Sequence, residues 1–192
     1  ERIMSYAYSE YKKQSTYFAH KTALRNVLIL ELLFATGMRI SELCTLTTEQ
    51  INFNDYIIKI YGKGSKERLI QICNKNVQRL MDEYRNEFYF KLNNYNYFFI
   101  NRLNNRLSEQ SVRNMISNYA EKAKIQLHIT PHMFRHSFAT LLLEEDVDIR
   151  YIQQMLGHSS ITTTQIYTHT SINKQKDILT VKHPRNKIDI GI

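Results

Sequence analysis

Tryptophan is absent from this chain, and turn formers are scarce: five glycines and two prolines among 192 residues. So few of them argue against a β-sandwich or a disordered chain and favour long helices. Cysteine is nearly missing as well. Cys44 and Cys73 form no CxxC pair, so neither a disulfide framework nor a thiolate metal site is expected, and a reducing cytoplasm is the natural setting. No apolar run reaches the length of a membrane span, and the start carries no signal-peptide pattern. The most apolar stretch, residues 27–35, is short and interrupted by Glu31, which reads as a buried helix. Acidic residues are the minority charge: 18 Asp and Glu face 26 Lys and Arg, for a net charge of +8. That excess is dispersed along the chain and favours polyanionic partners.

What remains suits one helical domain with a small sheet. Hydrophobic residues make up 43% of the chain, enough for a core. The chain begins at Glu1 and not Met, so it is expected to be a piece of a longer protein. Residues 1–22, polar and rich in tyrosine, are expected to be a linker or a short lead-in helix, with residues 23–192 forming the main domain. Residues 23–35 are apolar almost all round, as in a central helix, and Gly37 is placed to end it. Ile40, Leu43, Cys44 and Thr47 mark a second, short helix with Arg39 in the turn before it. Residues 57–61 and 68–72 read as two strands joined by Gly62-Lys63-Gly64-Ser65-Lys66, a hairpin loop that holds Lys63 at its tip. A third strand is expected at Tyr97–Ile100. Helical spacing recurs through Val77, Leu80, Met81, Tyr84 and Phe88, and again through Val112, Met115, Ile116, Tyr119 and Ala123.

Thr130-Pro131 reads as an N-cap followed by proline at the first helical position. His132 and Arg135, three apart, then share a face near that helix start. Asp148 and Gly157 bracket the next helix, which puts His158 in the turn after it and Tyr167 one or two helical turns further on. Each of these residues has an ordinary alternative: a helix-end ion pair for Arg39, a solvated turn for Lys63, a packed ring for Tyr167. Together they supply two guanidiniums, an ammonium, two imidazoles and a phenol. That set can attack a phosphodiester with a tyrosine and neutralise the crowded phosphate without a metal or other cofactor.

The strings that hold them are Thr36-Gly37-Met38-Arg39-Ile40-Ser41-Glu42-Leu43, Gly62-Lys63-Gly64-Ser65-Lys66-Glu67-Arg68, His132-Met133-Phe134-Arg135-His136-Ser137 and Leu156-Gly157-His158-Ser159-Ser160, the last running on to Thr163-Thr164-Gln165-Ile166-Tyr167. In order and spacing they resemble the catalytic domain of the tyrosine recombinases, the phage-integrase family, and its Xer-like branch in particular. The resemblance implies a mainly α fold with a small antiparallel β-sheet, shared with type IB topoisomerases. It further implies site-specific cleavage and rejoining of double-stranded DNA through a 3′-phosphotyrosine and a Holliday junction. Tyr167 matches the nucleophile, Arg39 and Arg135 the phosphate clamp, and Lys63 the acid for the leaving 5′-oxygen. His132 matches the residue that manages the tyrosine proton, and His158 one that hydrogen-bonds the phosphate.

Lys66 and Arg68, after the reactive loop, are expected to contact DNA phosphates, and Glu42 to orient Arg39 from behind. The resemblance also implies a homo-oligomer of four protomers on paired sites, with the tail after Tyr167 docking on a neighbour; a tail helix packed back on its own domain is the alternative. The setting implied is a prokaryotic cytoplasm, at the nucleoid. A topoisomerase that relaxes supercoils as a monomer is the nearest rival; a DNA-binding module that kept only the scaffold is another.

Overall fold

The computed structural model describes residues 1–61, 67–88, 96–157 and 169–188. Helix α1 (Arg2–Lys13) buries Ile3, Met4, Ala7 and Tyr8 along one face, the stripe of an amphipathic helix. Helix α2 (Tyr17–Thr36) starts at Thr16, whose hydroxyl accepts from the Ala19 amide. From Ala23 onward it is buried almost all round, which requires neighbours on every side. Those neighbours are α1, α4 (Lys75–Glu87) and α6 (Pro131–Glu144). The boundary expected between residues 22 and 23 therefore falls inside α2. Its first turns are largely exposed, Tyr17 and Phe18 included, so hydrophobic patterning alone placed the helix start too late. Residues 2–13 form α1, the helical alternative to a linker, and its apolar face is part of the core.

Gly37 ends α2 in the left-handed conformation, its amide bonded to the Leu33 carbonyl. A Cβ there would lie 2.7 Å from Leu156 Cδ2 and 2.8 Å from Phe138 Cδ1. Only glycine supplies both the positive φ and the clearance. Helix α3 (Ile40–Thr45) follows at once with Arg39 at its N-cap. Three antiparallel strands come next in the order β1 (Ile51–Asn52), β2 (Ile57–Tyr61) and β3 (Glu67–Gln71), with Ile60 opposite Arg68 and Tyr61 opposite Glu67. Lys63 and Lys66 lie outside the described residues, between the paired ends of β2 and β3.

The strand expected at Tyr97–Ile100 does not form. Only isolated bridges join Thr47 to Tyr97 and Ile100 to Arg106. The segment is apolar for a different reason: Phe98 and Phe99 are both fully buried and cluster on Tyr84, with ring centroids 5.1 and 5.4 Å away. Helix α5 (Glu109–Lys122) is capped by the Ser108 hydroxyl. In α6, Thr130 holds the N-cap position without a side-chain bond and Pro131 takes the first turn. Helix α7 (Ile149–Leu156) is capped by Asp148 and ends at Gly157, again left-handed.

A second, smaller core joins α6 and α7 to α8 (His169–Lys182) through Phe138, Leu142, Ile152, Met155, Leu156 and Leu179. After α8 the chain returns to its own domain. His183 Nε2 lies 2.7 Å from the Ala35 carbonyl, and Arg185 Nε donates to both Glu31 oxygens at 2.9 and 2.8 Å. Tyr8 donates to the same carboxylate at 2.6 Å. The first helix, the central helix and the tail thus meet on one buried charge.

Candidate active site

Three segments converge beside the end of α2. The turn after Gly37 presents Arg39, the first turn of α6 presents His132 and Arg135, and α5 contributes Glu109 and Arg113. With Met38, Ile40, Ser41 and Pro131 they line a cavity of about 220 Å³. The fold thereby brings together Arg39, His132 and Arg135 of the residues singled out in the sequence. Lys63, His158 and Tyr167 lie outside the described residues, so their distances to this cavity are not part of the geometry.

Arg135 is held by two helix ends. Its Nη1 donates to the Gly37 carbonyl at 2.8 Å and its Nη2 to the Leu156 carbonyl at 2.7 Å. Carbonyls at helix C-termini carry partial negative charge, which suits a guanidinium. Burial, and then the positive charge of Arg39, pull its pKa down to about 10. The group stays charged at neutral pH, but its ionised form is held against desolvation and a like charge. An anion entering the cavity relieves both. Arg39, by contrast, is 42% exposed at its side chain and free to meet a ligand. His132 is exposed at the rim.

Glu42 stands behind this pair. Its Oε2 accepts from the Arg39 amide at 2.7 Å and its Oε1 from Arg39 Nη1 at 3.0 Å. This is the capping-box geometry of a helix start, and it ties the arginine to α3.

Arg68 corrects the expectation drawn from its place after the hairpin loop. It does not face solvent as a DNA-phosphate contact would: it is 3% exposed. Nη1 and Nη2 fork onto Glu42 at 2.9 and 2.6 Å, and Nε donates to the Met155 carbonyl at 3.0 Å. A signal for this was present. Within β3, Arg68 and Ile70 are two apart, and the period of two sends both to the same buried side, between exposed Glu67 and half-buried Leu69. Glu109 and Arg113 were missed because a Glu and an Arg four apart read as an ordinary surface pair, which they also form at 2.6 Å.

Among the described residues no cluster of three or more His, Cys, Asp or Glu is arranged to hold a metal ion. No helix there is long and apolar enough to cross a membrane. The donors lining the cavity are mostly cationic, a set suited to phosphate.

Comparison with known proteins agrees in kind. The model of the phage integrase family matches residues 2–174. A tyrosine recombinase of Agathobacter rectalis is 55% identical over 185 residues, covering 96% of this chain and 60% of its own length. The tyrosine recombinase XerD of Halalkalibacterium halodurans is 41% identical over 166 residues, covering 85% of this chain and 55% of its own. Among solved structures, the XerH site-specific recombinase bound to its difH substrate in a pre-cleavage complex superposes with a TM-score of 0.68 at 28% identity, covering 90% of this chain and 49% of that one. The chain thus spans little more than half the length of the curated relatives it matches.

Proposed function

Since the chain belongs to the phage integrase family, we propose that it is the catalytic part of a tyrosine site-specific recombinase acting on double-stranded DNA. The observation that carries the reading is the meeting of Arg39 with His132 and Arg135, a pair far from it in sequence, around one cationic cavity. The topoisomerase alternative shares the chemistry, but the curated relatives bear the name tyrosine recombinase.

In this proposal Tyr167 Oη attacks the scissile phosphorus as its proton leaves, with His132 helping to manage that proton. The P–O5′ bond breaks, and Lys63 protonates the departing 5′-oxygen. A 3′-phosphotyrosine and a free 5′-hydroxyl result. Arg39 and Arg135 spread the charge that builds on the non-bridging oxygens, with His158 as a further donor. Planar guanidiniums suit this work because each offers two parallel donors to one phosphate. The phosphotyrosine conserves the energy of the cleaved bond, so a 5′-hydroxyl from a partner strand reverses the attack. Neither metal nor nucleotide enters these steps. Lys66, next to the reactive loop, serves as a phosphate contact.

Exchange between two duplexes requires four protomers on paired sites, so the partners we infer are duplex DNA and further copies of this chain, acting in a prokaryotic cytoplasm at the nucleoid. The solved XerH structure, a pre-cleavage complex with its substrate, is in keeping with DNA as partner. The described part of the tail packs on its own domain through Arg185 and His183. Docking on a neighbour, as we propose for the assembled state, would transfer these contacts to the neighbour's α2, a domain-swapped arrangement.

A nicked suicide duplex carrying the target site tests the function. The chain should form a covalent adduct that survives denaturation, and Tyr167→Phe should form none. An adduct that persists in Tyr167→Phe would show that another residue is the nucleophile.

A further inference from the structure

A guanidinium withdrawn from water is costly unless its donors are all used. Arg68 is 3% exposed, and its fork is spent on Glu42 and the Met155 carbonyl. Glu42 in turn serves two arginines, Arg68 from behind and Arg39 from the cavity side. Freed of Arg68, that carboxylate would have Arg39 as its one cationic partner among the described residues. The two could then pair bidentately, drawing the Arg39 guanidinium off the cavity and cancelling its charge.

We propose that Arg68 is a positioning residue: it occupies the Glu42 carboxylate from behind and so leaves the Arg39 guanidinium directed at the phosphate, its charge not spent on Glu42. This rests on the reading that the cavity receives a phosphate. Two further contacts fit the role. The bond to the Met155 carbonyl fixes α3 and its arginine to the end of α7. At Gly157 a Cβ would stand 3.0 Å from Arg68 Nη1 and 3.1 Å from its Cδ, so the glycine leaves the guanidinium its room. Burial alone would raise the Glu42 carboxyl. The hydrogen bonds from Arg68, with those from Arg39, outweigh it and hold the group below the ordinary value. Arg68 therefore faces a full negative charge at neutral pH.

The test compares Arg68→Met, Arg39→Ala and the unchanged chain in single-turnover adduct formation. One suicide duplex has a natural scissile phosphate; the other has a methylphosphonate, which lacks the charged oxygen an arginine neutralises. Thermal melts confirm that each variant is folded at the assay temperature, and Arg68→Gln, which likewise removes the charge, replaces Arg68→Met if the latter is not. The expected result is a loss of about 10- to 100-fold on the phosphate that shrinks to under about 3-fold on the methylphosphonate, in step with Arg39→Ala. An equal loss on both substrates, or none on either, would overturn the proposal and leave Arg68 a packing residue. Should the unchanged chain form no adduct, the proposed function fails separately. The Arg68 inference is then read from side-chain Nε–H NMR signals, where replacing Arg68 must shift that of Arg39; an unmoved signal overturns it.

Discussion

Arg39 has an exposed side chain bonded, among the described residues, to Glu42 alone, whereas Arg135 spans the carbonyls of Gly37 and Leu156. The two should respond differently to removal. Arg39→Ala breaks a solvent-exposed pair, so it should change folding stability by under about 1 kcal/mol while slowing strand cleavage about 100- to 1000-fold. Arg135→Ala should lose a similar factor in rate and also about 2–4 kcal/mol of stability, because two charged hydrogen bonds go with it. Urea denaturation beside single-turnover cleavage separates these outcomes; equal stability losses would contradict the geometry. At this scale the sequence was informative about residue type and less so about direction. Arg135 was legible because a helix start fixes which face it shares with His132. Arg68 was misread because its neighbours in the hairpin loop suggested solvent, although the alternation with Ile70 pointed inward.

Among the elements, the helix ends were the most legible. Gly37, Asp148 and Gly157 act through local backbone chemistry that one residue sets, and each ends or starts its helix where expected. The failures were of another kind. Tyr97–Ile100 looked like a strand because an apolar run carries no information about its partners, and its partners are aromatic rings and not a ladder. The first turns of α2 were missed because they bury little. That the tail could pack on its own domain was a reading the sequence allowed, but the residues that hold it were not legible, since they depend on Arg185 reaching Glu31 across most of the chain length. Both side chains of that pair are 2% exposed or less. Arg185→Met should cost about 3–5 kcal/mol by leaving the Glu31 carboxylate buried without its cation. Removing both charges in Glu31→Leu/Arg185→Met should restore much of that loss, as read from chemical denaturation midpoints. Equal midpoints for the single variant and the unchanged chain would mean that the tail does not dock through this pair.

At the scale of the molecule, the larger core built on α2 and the smaller one joining α6, α7 and α8 are bound by Arg135 and by the returning tail. His183 sits at that joint, fully enclosed against the Ala35 carbonyl. Burial pushes its pKa down to about 4, against the ordinary 6.5. The unfolded chain therefore takes up this proton first as pH falls. The stabilisation is whole above about pH 6.5, is lost between there and about pH 4, and totals about 3 kcal/mol. Melting temperature should fall across that window, and His183→Asn should flatten the fall; an unchanged slope would place the acid sensitivity elsewhere. The net charge of +8 acts over the whole surface. DNA affinity should drop steeply with added salt as phosphate contacts release counterions.

The claim beneath all of this is that two arginines and a phenol meet around one phosphorus atom. The most direct measurement is a structure of the chain trapped on a nicked suicide duplex. It should show phosphorus bonded to Tyr167 Oη, with the Arg39 and Arg135 guanidiniums each about 3 Å from its non-bridging oxygens. A phosphorus attached to another residue, or a phosphate gripped by neither arginine, would contradict the account.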